Sequence, residues 1–358
     1  MYAEEDVVVE EILEEDHSIQ KLKTNGGIGQ AILYKLTCSR VSVGDRIRVN
    51  VTAGRLGLGT GGWDIVVAAC AKQTGNKTNG HIMKARYTSS QHSVMSVDDP
   101  EHPDYTLFEQ PFSLKDRNVL LAELHSMLPI ILGAVRMRDK NKKIGVILSD
   151  QASLPAGWSD HMRIWKTDPN VFVVTTGQAF GGNEEAVTIP NALQWLTMKK
   201  EVDVLVISMG PGTVGTSTPY GFSGIALAEW ANIVGALEGK PCWVTRISFR
   251  EGRTRHYGIS HHTTTALCTF TYAPSLLILP HLDSEKEKYL RAQLKSVSMS
   301  KQHVIIYEHS KSLLEDWKKW AVTYPLSVTT MGRNTKTDES YVLGVLAAVK
   351  HVLSGNNT

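Results

Sequence analysis

Short apolar runs broken by turn residues dominate the first part of the chain. Apolar residues alternate or cluster in three runs, at 28–37, 46–52 and 63–71. Glycine-containing turn signals separate these runs, and no helical period lies between them. Short strands at this spacing are typical of a small barrel or sandwich. The pattern therefore predicts a small β-rich domain over residues 1–90.

From residue 113 onward, buried strands alternate with segments of helical length. The apolar, β-branched runs lie at 144–148, 171–176, 203–208, 242–248, 275–279 and 303–307. Because these runs are apolar nearly throughout, they indicate parallel strands covered on both faces. Helices are predicted at 118–136, 222–238, 285–297, 312–321 and 340–353.

These patterns together predict an α/β fold. A small N-terminal β-barrel-like domain precedes a doubly wound (Rossmann-like), mostly parallel α/β domain at 113–354. The polar, proline-bearing residues 91–112 would link the two domains.

Composition narrows the function classes. The 358 residues carry 38 Lys and Arg against 36 Asp and Glu, so no global basic field favours a nucleic-acid partner. Apolar stretches fall short of the ~20 residues that a membrane span needs. The acidic N-terminus is unlike a signal peptide, and we therefore expect no membrane association and a cytoplasmic location. The four cysteines form no C-x-x-C pair, which predicts neither a disulfide framework nor a zinc site.

A glycine-rich loop follows the run at 203–208. It matches G-x-G-x-x-G, and also the phosphate-loop pattern except that a threonine replaces the lysine. Its backbone N–H groups could cradle an anion, although a tight strand-to-helix turn explains the glycines equally well. The candidate ligand-binding residues here are Gly210, Gly212, Thr213, Gly215, Thr216 and Ser217.

Residues 246–263 are rich in arginine and histidine. Four arginines within ten residues suit the recognition of phosphate or carboxylate, unless they form ordinary ion pairs on a solvated loop. Ser260 is a predicted N-cap for a helix that starts with two histidines, which the helix dipole would keep neutral. Adjacent helical histidines point about 100° apart, so we predict no metal site. The candidate ligand-binding residues are Arg246, Arg250, Arg253, Arg255 and His256, and the candidate catalytic residues are His261 and His262.

Two acids complete the candidate catalytic set. Asp150 ends a predicted strand, where it could also serve as a helix cap or turn acid. Glu184 follows Asn183, which is predicted to cap a helix whose first turn holds Glu184 and Glu185. Glu184 is then a general base, a residue that binds substrate hydroxyls, or a partner of the helix dipole. His125, on the predicted helix 118–136, is interpreted as a packing residue.

Six motifs in order resemble the bacterial domain of unknown function 3866 family. They are 56–62 (LGLGTGG), 80–84 (GHIMK), 124–126 (LHS), 179–182 (AFGG), 209–216 (MGPGTVGT) and 246–263 (RIS through SHHT). The resemblance covers nearly the whole chain. It implies a cytoplasmic bacterial protein and supplies no reaction. Gln178 stands where the family commonly has histidine, and Asn183 where aspartate is common; if those positions are catalytic in relatives, activity here is altered.

Three function hypotheses remain open. The first is an enzyme of hydrolase or transferase type that acts on an anionic, phosphorylated small molecule, with the cofactor left open. The second is a regulatory or scaffold protein that binds a small anion without catalysis. The third is RNA binding through the β domain, to which the basic and aromatic segment 79–87 could contribute, although a solvated strand end explains that segment as well. A homo-oligomer is compatible with each.

Overall fold

The computed structural model describes residues 2–58, 62–69, 80–295, 302–330, 333–334 and 337–355. Residues 59–61 of the motif at 56–62, and Cys70, lie outside the described residues.

The N-terminal part is a closed five-stranded barrel. Its strands are β1 (Glu4–Glu15), β2 (Ile19–Thr24), β3 (Gln30–Tyr34), β4 (Arg46–Asn50) and β5 (Asp64–Ala69), in the order β1-β2-β3-β5-β4. Val7, Leu22 and Ile47 are among the alternate residues that fill its interior. A four-residue helix, α1 (Thr52–Arg55), follows β4. The predicted β-barrel-like domain is confirmed.

The segment between barrel and sheet is packed rather than loose. It contains the hairpin β6 (Ile82–Lys84) and β7 (His92–Val94). Lys84 is fully buried, where its Nζ donates to the carbonyl oxygens of Gly177 and Ala179 and pairs with Glu185 at 3.2 Å. The interpretation of residues 79–87 as a solvated strand end is therefore wrong for Lys84. The boundaries 1–90, 91–112 and 113–354 stay a prediction.

The larger part contains an eight-stranded parallel sheet. In chain order its strands are β8 (Asn118–Ala122), β9 (Ile144–Asp150), β10 (Val171–Gly177), β11 (Glu184–Ala186), β12 (Val204–Ser208), β13 (Lys240–Val244), β16 (Ser275–Pro280) and β17 (His303–Glu308). In space the order is β11-β10-β9-β12-β8-β13-β16-β17. Besides the hairpin β6/β7, two short pairs lie outside this sheet: β14 (Ile247–Ser248) with β15 (Gly258–Ile259), and β18 (Thr329–Thr330) with β19 (Arg333–Asn334).

Helices cover both faces of the sheet. One face packs on α2 (Leu128–Arg138), α3 (Asp160–Trp165), α8 (Lys311–Thr323) and α9 (Glu339–Gly355). The other packs on α4 (Ile189–Met198), α5 (Ala226–Ala236), α6 (His261–Thr265), a π-helical turn (Ala266–Phe270) and α7 (Ser284–Gln293). This arrangement confirms the doubly wound α/β prediction. Among the described residues, no helix has the length and apolar character needed to cross a membrane.

The strand order creates two crevices at the carboxyl edge of the sheet. The chain leaves β8 and β9 toward the β11 side, whereas it leaves β12 and β13 toward the β17 side. Neighbouring connections therefore diverge between β8 and β13, and again between β9 and β12. Such divergence points are where open α/β sheets bind ligands.

The predicted helix 118–136 is wrong in its first part. Residues 118–122 form β8, near the centre of the sheet, and α2 begins only at Leu128. His125 lies in the short 3-10 turn between them. Because a buried strand here runs into a buried helix, the whole stretch is apolar, and periodicity alone does not separate the two elements.

The barrel docks on α3 through charged side chains. Arg163 of α3 pairs with Asp16 at 2.8 Å and also contacts Glu14. In the other direction, Lys21 of β2 pairs with Asp160 at 2.9 Å. These bridges fix the barrel beside the carboxyl edge of the sheet.

Candidate functional site: histidines and arginines at the carboxyl edge

A buried carboxylate, Glu123, follows β8 in the β8/β13 crevice. It accepts hydrogen bonds from Nδ1 of His262 at 2.9 Å and from Thr263 at 3.3 Å, and it pairs with Arg246 at 3.4 Å. Burial alone would raise the pKa of Glu123, but the hydrogen bond from His262 and the charge of Arg246 outweigh it and hold the pKa below its usual range. Glu123 is therefore a charged carboxylate, so Nδ1 of His262 carries the proton.

Helix α6 begins as predicted. The Ser260 side chain accepts a hydrogen bond from the backbone N–H of His262, which confirms Ser260 as the N-cap. His261 and His262 occupy the first turn, and Phe222 stacks on the ring of His262 with centroids 4.0 Å apart. The short helix thus presents two imidazoles to the crevice.

A third histidine, His256, reaches the same place from the loop between β14 and β15. Its Nδ1 lies 2.9 Å from Oγ of Ser260, and Nε of Arg255 donates to its Nε2 at 3.3 Å. Because Nε2 accepts that bond, the imidazole proton lies on Nδ1. Burial, helped by the charge of Arg246, lowers the pKa of His256 to about 3. His256 is therefore neutral at pH 7.

His261 forms a near-equilateral triangle with His256 and His262, whose ring centroids are themselves 4.8 Å apart. Its ring centroid is 5.0 Å from that of His256 and 4.5 Å from that of His262. Its Nε2 is buried, and no described residue hydrogen-bonds to it. Burial, with the charges of His262 and Arg255, lowers the pKa of His261. The nitrogen is thus a neutral polar atom whose partner would have to come from a ligand or water.

The three histidines could hold a metal ion. One ring nitrogen from each of His256, His261 and His262 lies within 4.8 Å of the others. The prediction of no metal site considered only the adjacent His261 and His262. It overlooked His256, which the hairpin β14/β15 places beside them. However, Arg255 occupies Nε2 of His256 and would have to withdraw, and a second guanidinium, Arg246, is close by. These charges favour an anion over a cation, and the absence of a metal stays a prediction.

The four predicted arginines divide into two pairs. Arg246 is buried between Glu123 and Glu251, and Arg253 makes a two-pronged bond to Glu251 at 3.1 and 3.0 Å. Arg250 is exposed and Arg255 half-buried, and among described residues neither forms a salt bridge. Of the four arginines, Arg250 and Arg255 therefore carry positive charge that no described carboxylate pairs with.

The glycine-rich loop borders the histidines. Gly215 bridges to Phe222, and a Cβ built on Gly215 would lie 3.8 Å from Cε1 of His262. Gly212 has φ +94°, a conformation that requires glycine. The loop thus reaches the β8/β13 crevice.

Several polar groups of this loop already have internal partners. The N–H of Gly210 donates to Asp150, that of Val214 to Ser223, and that of Thr216 to a carbonyl oxygen. The Thr216 hydroxyl contacts Thr218 at 2.8 Å. Thr213 and Ser217 lie at the tip, half-buried and exposed respectively. That the backbone of this loop binds an anion stays a prediction. These internal contacts weaken it, because they occupy groups that would have to bind the anion.

Asp150 lies at the other crevice, between β9 and β12. It accepts hydrogen bonds from the N–H groups of Gly210 at 3.1 Å and Ala152 at 2.9 Å. It also lines a cavity of about 370 Å³ together with Gln178, Arg86 and other residues. Asp150 is therefore a turn acid beside a cavity, two strand spacings away from β8.

Glu184 is far from the histidines. It begins the edge strand β11 rather than a helix, and the next helix, α4, is capped by Thr188. The predicted cap at Asn183 is wrong, because its side chain instead accepts the N–H of Val173. Burial raises the pKa of Glu184. Four strand spacings, about 19 Å, separate β11 from β8, so Glu184 and His261 do not share a site.

Sequence reasoning missed Glu123. The available signal was a single acid directly after the apolar run 119–122. Assigning this stretch to a helix hid that signal, because only the end of a strand places such an acid at the mouth of a parallel sheet.

The family comparison agrees with these motifs. The family described as "Protein of unknown function (DUF3866)" has a sequence model that matches residues 30–349. The match spans the barrel from β3 onward and almost all of the sheet domain, including every residue of the β8/β13 crevice described above. No curated protein matches the chain. The chain therefore belongs to the DUF3866 family.

Proposed function

We propose that this protein is an enzyme of hydrolase or transferase type that acts on an anionic, phosphorylated small molecule in the β8/β13 crevice. The observation that carries the proposal is the buried Nε2 of His261, to which no described residue bonds, next to the uncompensated charge of Arg255. A neutral imidazole beside a guanidinium suits proton transfer to or from a group that the guanidinium holds.

Each neighbouring residue has a distinct part in this proposal. Arg255, with Arg250 at the entrance, binds the anion. His261 moves the proton at Nε2. Glu123 fixes the ring orientation and the tautomer of His262 and keeps Arg246 in place. These three residues are therefore positioning residues that do not contact the substrate.

The surroundings offer less support to the other hypotheses. Strand β1 carries seven acids (Glu4, Glu5, Asp6, Glu10, Glu11, Glu14 and Glu15). Six of them form ion pairs with lysines and arginines of the barrel, and these pairs neutralise basic charge that an RNA backbone would need. A regulatory protein would bind an anion at the same site without converting it. The enzyme and the regulatory hypotheses are therefore distinguished by whether the bound ligand is chemically changed.

A thermal-shift and turnover screen tests the proposal. Inorganic phosphate, sugar phosphates and nucleotides are screened with the wild type, Arg255→Ala, His261→Ala and the exposed control Lys319→Ala. A ligand at about 100 times its Kd adds about 2.7 kcal/mol, which for a chain of 358 residues corresponds to a Tm rise of about 3–4 °C. We expect Arg255→Ala to lose that rise, and His261→Ala to lose turnover while it still binds.

Two outcomes contradict the proposal. A Tm rise that Arg255→Ala retains places the anion elsewhere. If phosphorylated compounds bind but each of them is recovered chemically unchanged, the protein is a sensor instead of an enzyme.

A further inference from the structure

A serine and a histidine meet on the other side of the β8 terminus. Nε2 of His125 lies 2.6 Å from Oγ of Ser159, which precedes α3. Sequence reasoning took His125 for a packing residue, and no motif drew attention to Ser159. The contact joins the loops that follow β8 and β9, so the sheet holds both residues in place.

The proton positions in this contact follow from its neighbours. Nδ1 of His125 lies 3.3 Å from the carbonyl oxygen of Met209, which can only accept, so Nδ1 carries the proton. Nε2 therefore presents a lone pair, and the Ser159 hydroxyl donates to it. Oγ also accepts the N–H of Met162 at 3.2 Å. Burial lowers the pKa of His125 to about 4, so the ring is a neutral acceptor at pH 7.

This arrangement is the one that activates a serine. An adjacent base removes the hydroxyl proton, and a third group orients that base. Here the Met209 carbonyl orients His125. An N-cap serine needs only to accept a hydrogen bond; capping by itself calls for neither a histidine at 2.6 Å nor an open space beside the hydroxyl.

The two side chains line a cavity of about 310 Å³ between the barrel and the sheet domain. The barrel supplies Ile32, Trp63 and Lys21, and the loop before α3 supplies Trp158. Indole and aliphatic surfaces suit an apolar group. Lys21 is already paired with Glu14 at 2.8 Å and Asp160 at 2.9 Å, so the cavity offers an anion little net charge.

We propose that Ser159 is a nucleophile and His125 its general base in a second reactive site, which cleaves carboxylic esters that carry an apolar acyl group. The site lies apart from the histidine and arginine cluster, and the proposal does not rest on the proposed function.

The reaction is balanced with water as co-reactant. Oγ of Ser159 forms a bond to the ester carbonyl carbon while its proton passes to Nε2 of His125. The bond from carbon to the alkoxy oxygen then breaks, and His125 returns the proton to that oxygen. Water then attacks the acyl carbon while its proton passes to Nε2 of His125. The bond from the acyl carbon to Oγ breaks and His125 returns the proton to Oγ, which leaves the carboxylic acid and the free serine.

A fluorophosphonate probe and 4-nitrophenyl butyrate test this proposal on the full chain. The activated serine displaces fluoride from the probe, so we expect about one label per chain, at Ser159 in peptide mapping. With the ester we expect 4-nitrophenolate release. Ser159→Asn keeps a capping side chain but has no hydroxyl, and it should lose both signals. His125→Ala should slow labelling at least about 100-fold.

One control variant and one competition experiment complete the design. Ser153→Ala removes an exposed serine from the same loop and should label like the wild type. Excess inorganic phosphate should not slow labelling, which separates this site from the anion site. The proposal is overturned if the wild type labels no faster than Ser159→Asn, if the label maps to another residue, or if His125→Ala labels at the wild-type rate.

Discussion

Glu123 and His262 are joined by a 2.9 Å hydrogen bond across the β8/β13 crevice, although 139 residues separate them in the chain. The bond fixes helix α6 to the end of a central strand. Glu123 also faces the buried Arg246 at 3.4 Å, whose other carboxylate partner, Glu251, lies further away at 4.0 Å.

Glu123→Ala should therefore destabilise the protein strongly. Loss of the carboxylate leaves Arg246 buried beside His262 with less compensation, and breaking a buried pair in this way costs about 3–5 kcal/mol. Urea unfolding measures the change. Glu109→Ala, at an exposed carboxylate, should stay within about 0.5 kcal/mol of the wild type. If the two variants unfold at the same urea concentration, the buried pair contributes nothing.

Glu251 gives a second, pH-dependent prediction. The hydrogen bond from Arg253, assisted by the charge of Arg333, lowers its pKa from 4.5 to about 2 against the opposing effect of burial. A lowered pKa in the folded state contributes stability above the unfolded pKa, and this is lost as pH falls toward the folded value. Wild type should thus have a higher Tm than Glu251→Gln at pH 7, and the gap should close between pH 4.5 and about 2. A gap independent of pH would exclude this charge effect.

His125 should make stability fall in mild acid. Its pKa drops from 6.5 to about 4 because the ring is buried, so the unfolded chain binds the proton more readily between these values. Stability is full above pH 6.5 and falls by about 3 kcal/mol by pH 4. Urea unfolding at several pH values checks this against His125→Asn. That variant should show a smaller decline over the same interval; an equal decline would assign the effect to other groups.

Gly80→Ala should disturb the segment that buries Lys84. A Cβ at Gly80 would lie 2.0 Å from the carbonyl oxygen of Val94 and 2.3 Å from the backbone of Met95, so the hairpin β6/β7 must move. We expect a loss of about 2 kcal/mol in urea unfolding. Gly252→Ala is the matched control, because a Cβ there meets no described atom within 4 Å. Equal stability of the two variants would show that the hairpin adapts without cost.

Local sequence patterns correctly predicted the structural features that depend only on residues close together in the chain. Ser260 was identified as an N-cap because capping involves only the next few residues. Six of the eight strands of the sheet, β9, β10, β12, β13, β16 and β17, match predicted strands, because each is a short apolar run between turn residues. Strand β1 was not predicted, since its acids hide the alternation of Val7 and Val9 with outward-facing residues.

Contacts that depend on how separate segments pair in the fold could not be predicted from the sequence. His256 reaches the other histidines only because β14 pairs with β15, and Ser159 reaches His125 only because two loops leave the sheet side by side. Neither pairing has a local signal. Glu184 is the opposite case, because a local signal existed but was misleading. Asn183 is a plausible helix cap by sequence, yet the residues after it form strand β11, which pairs with β10 at the edge of the sheet.

The burial of Lys84 also orders events during synthesis. Among the described residues, the barrel strands pair only with one another, so the first 69 residues contain every strand of the barrel. Lys84 instead needs carbonyl groups 93 and 95 residues further along the chain. At about 5–20 residues per second, a ribosome takes roughly 5 to 20 seconds to supply them. During that interval Lys84 stays hydrated, and the segment around it is open to chaperones and proteases.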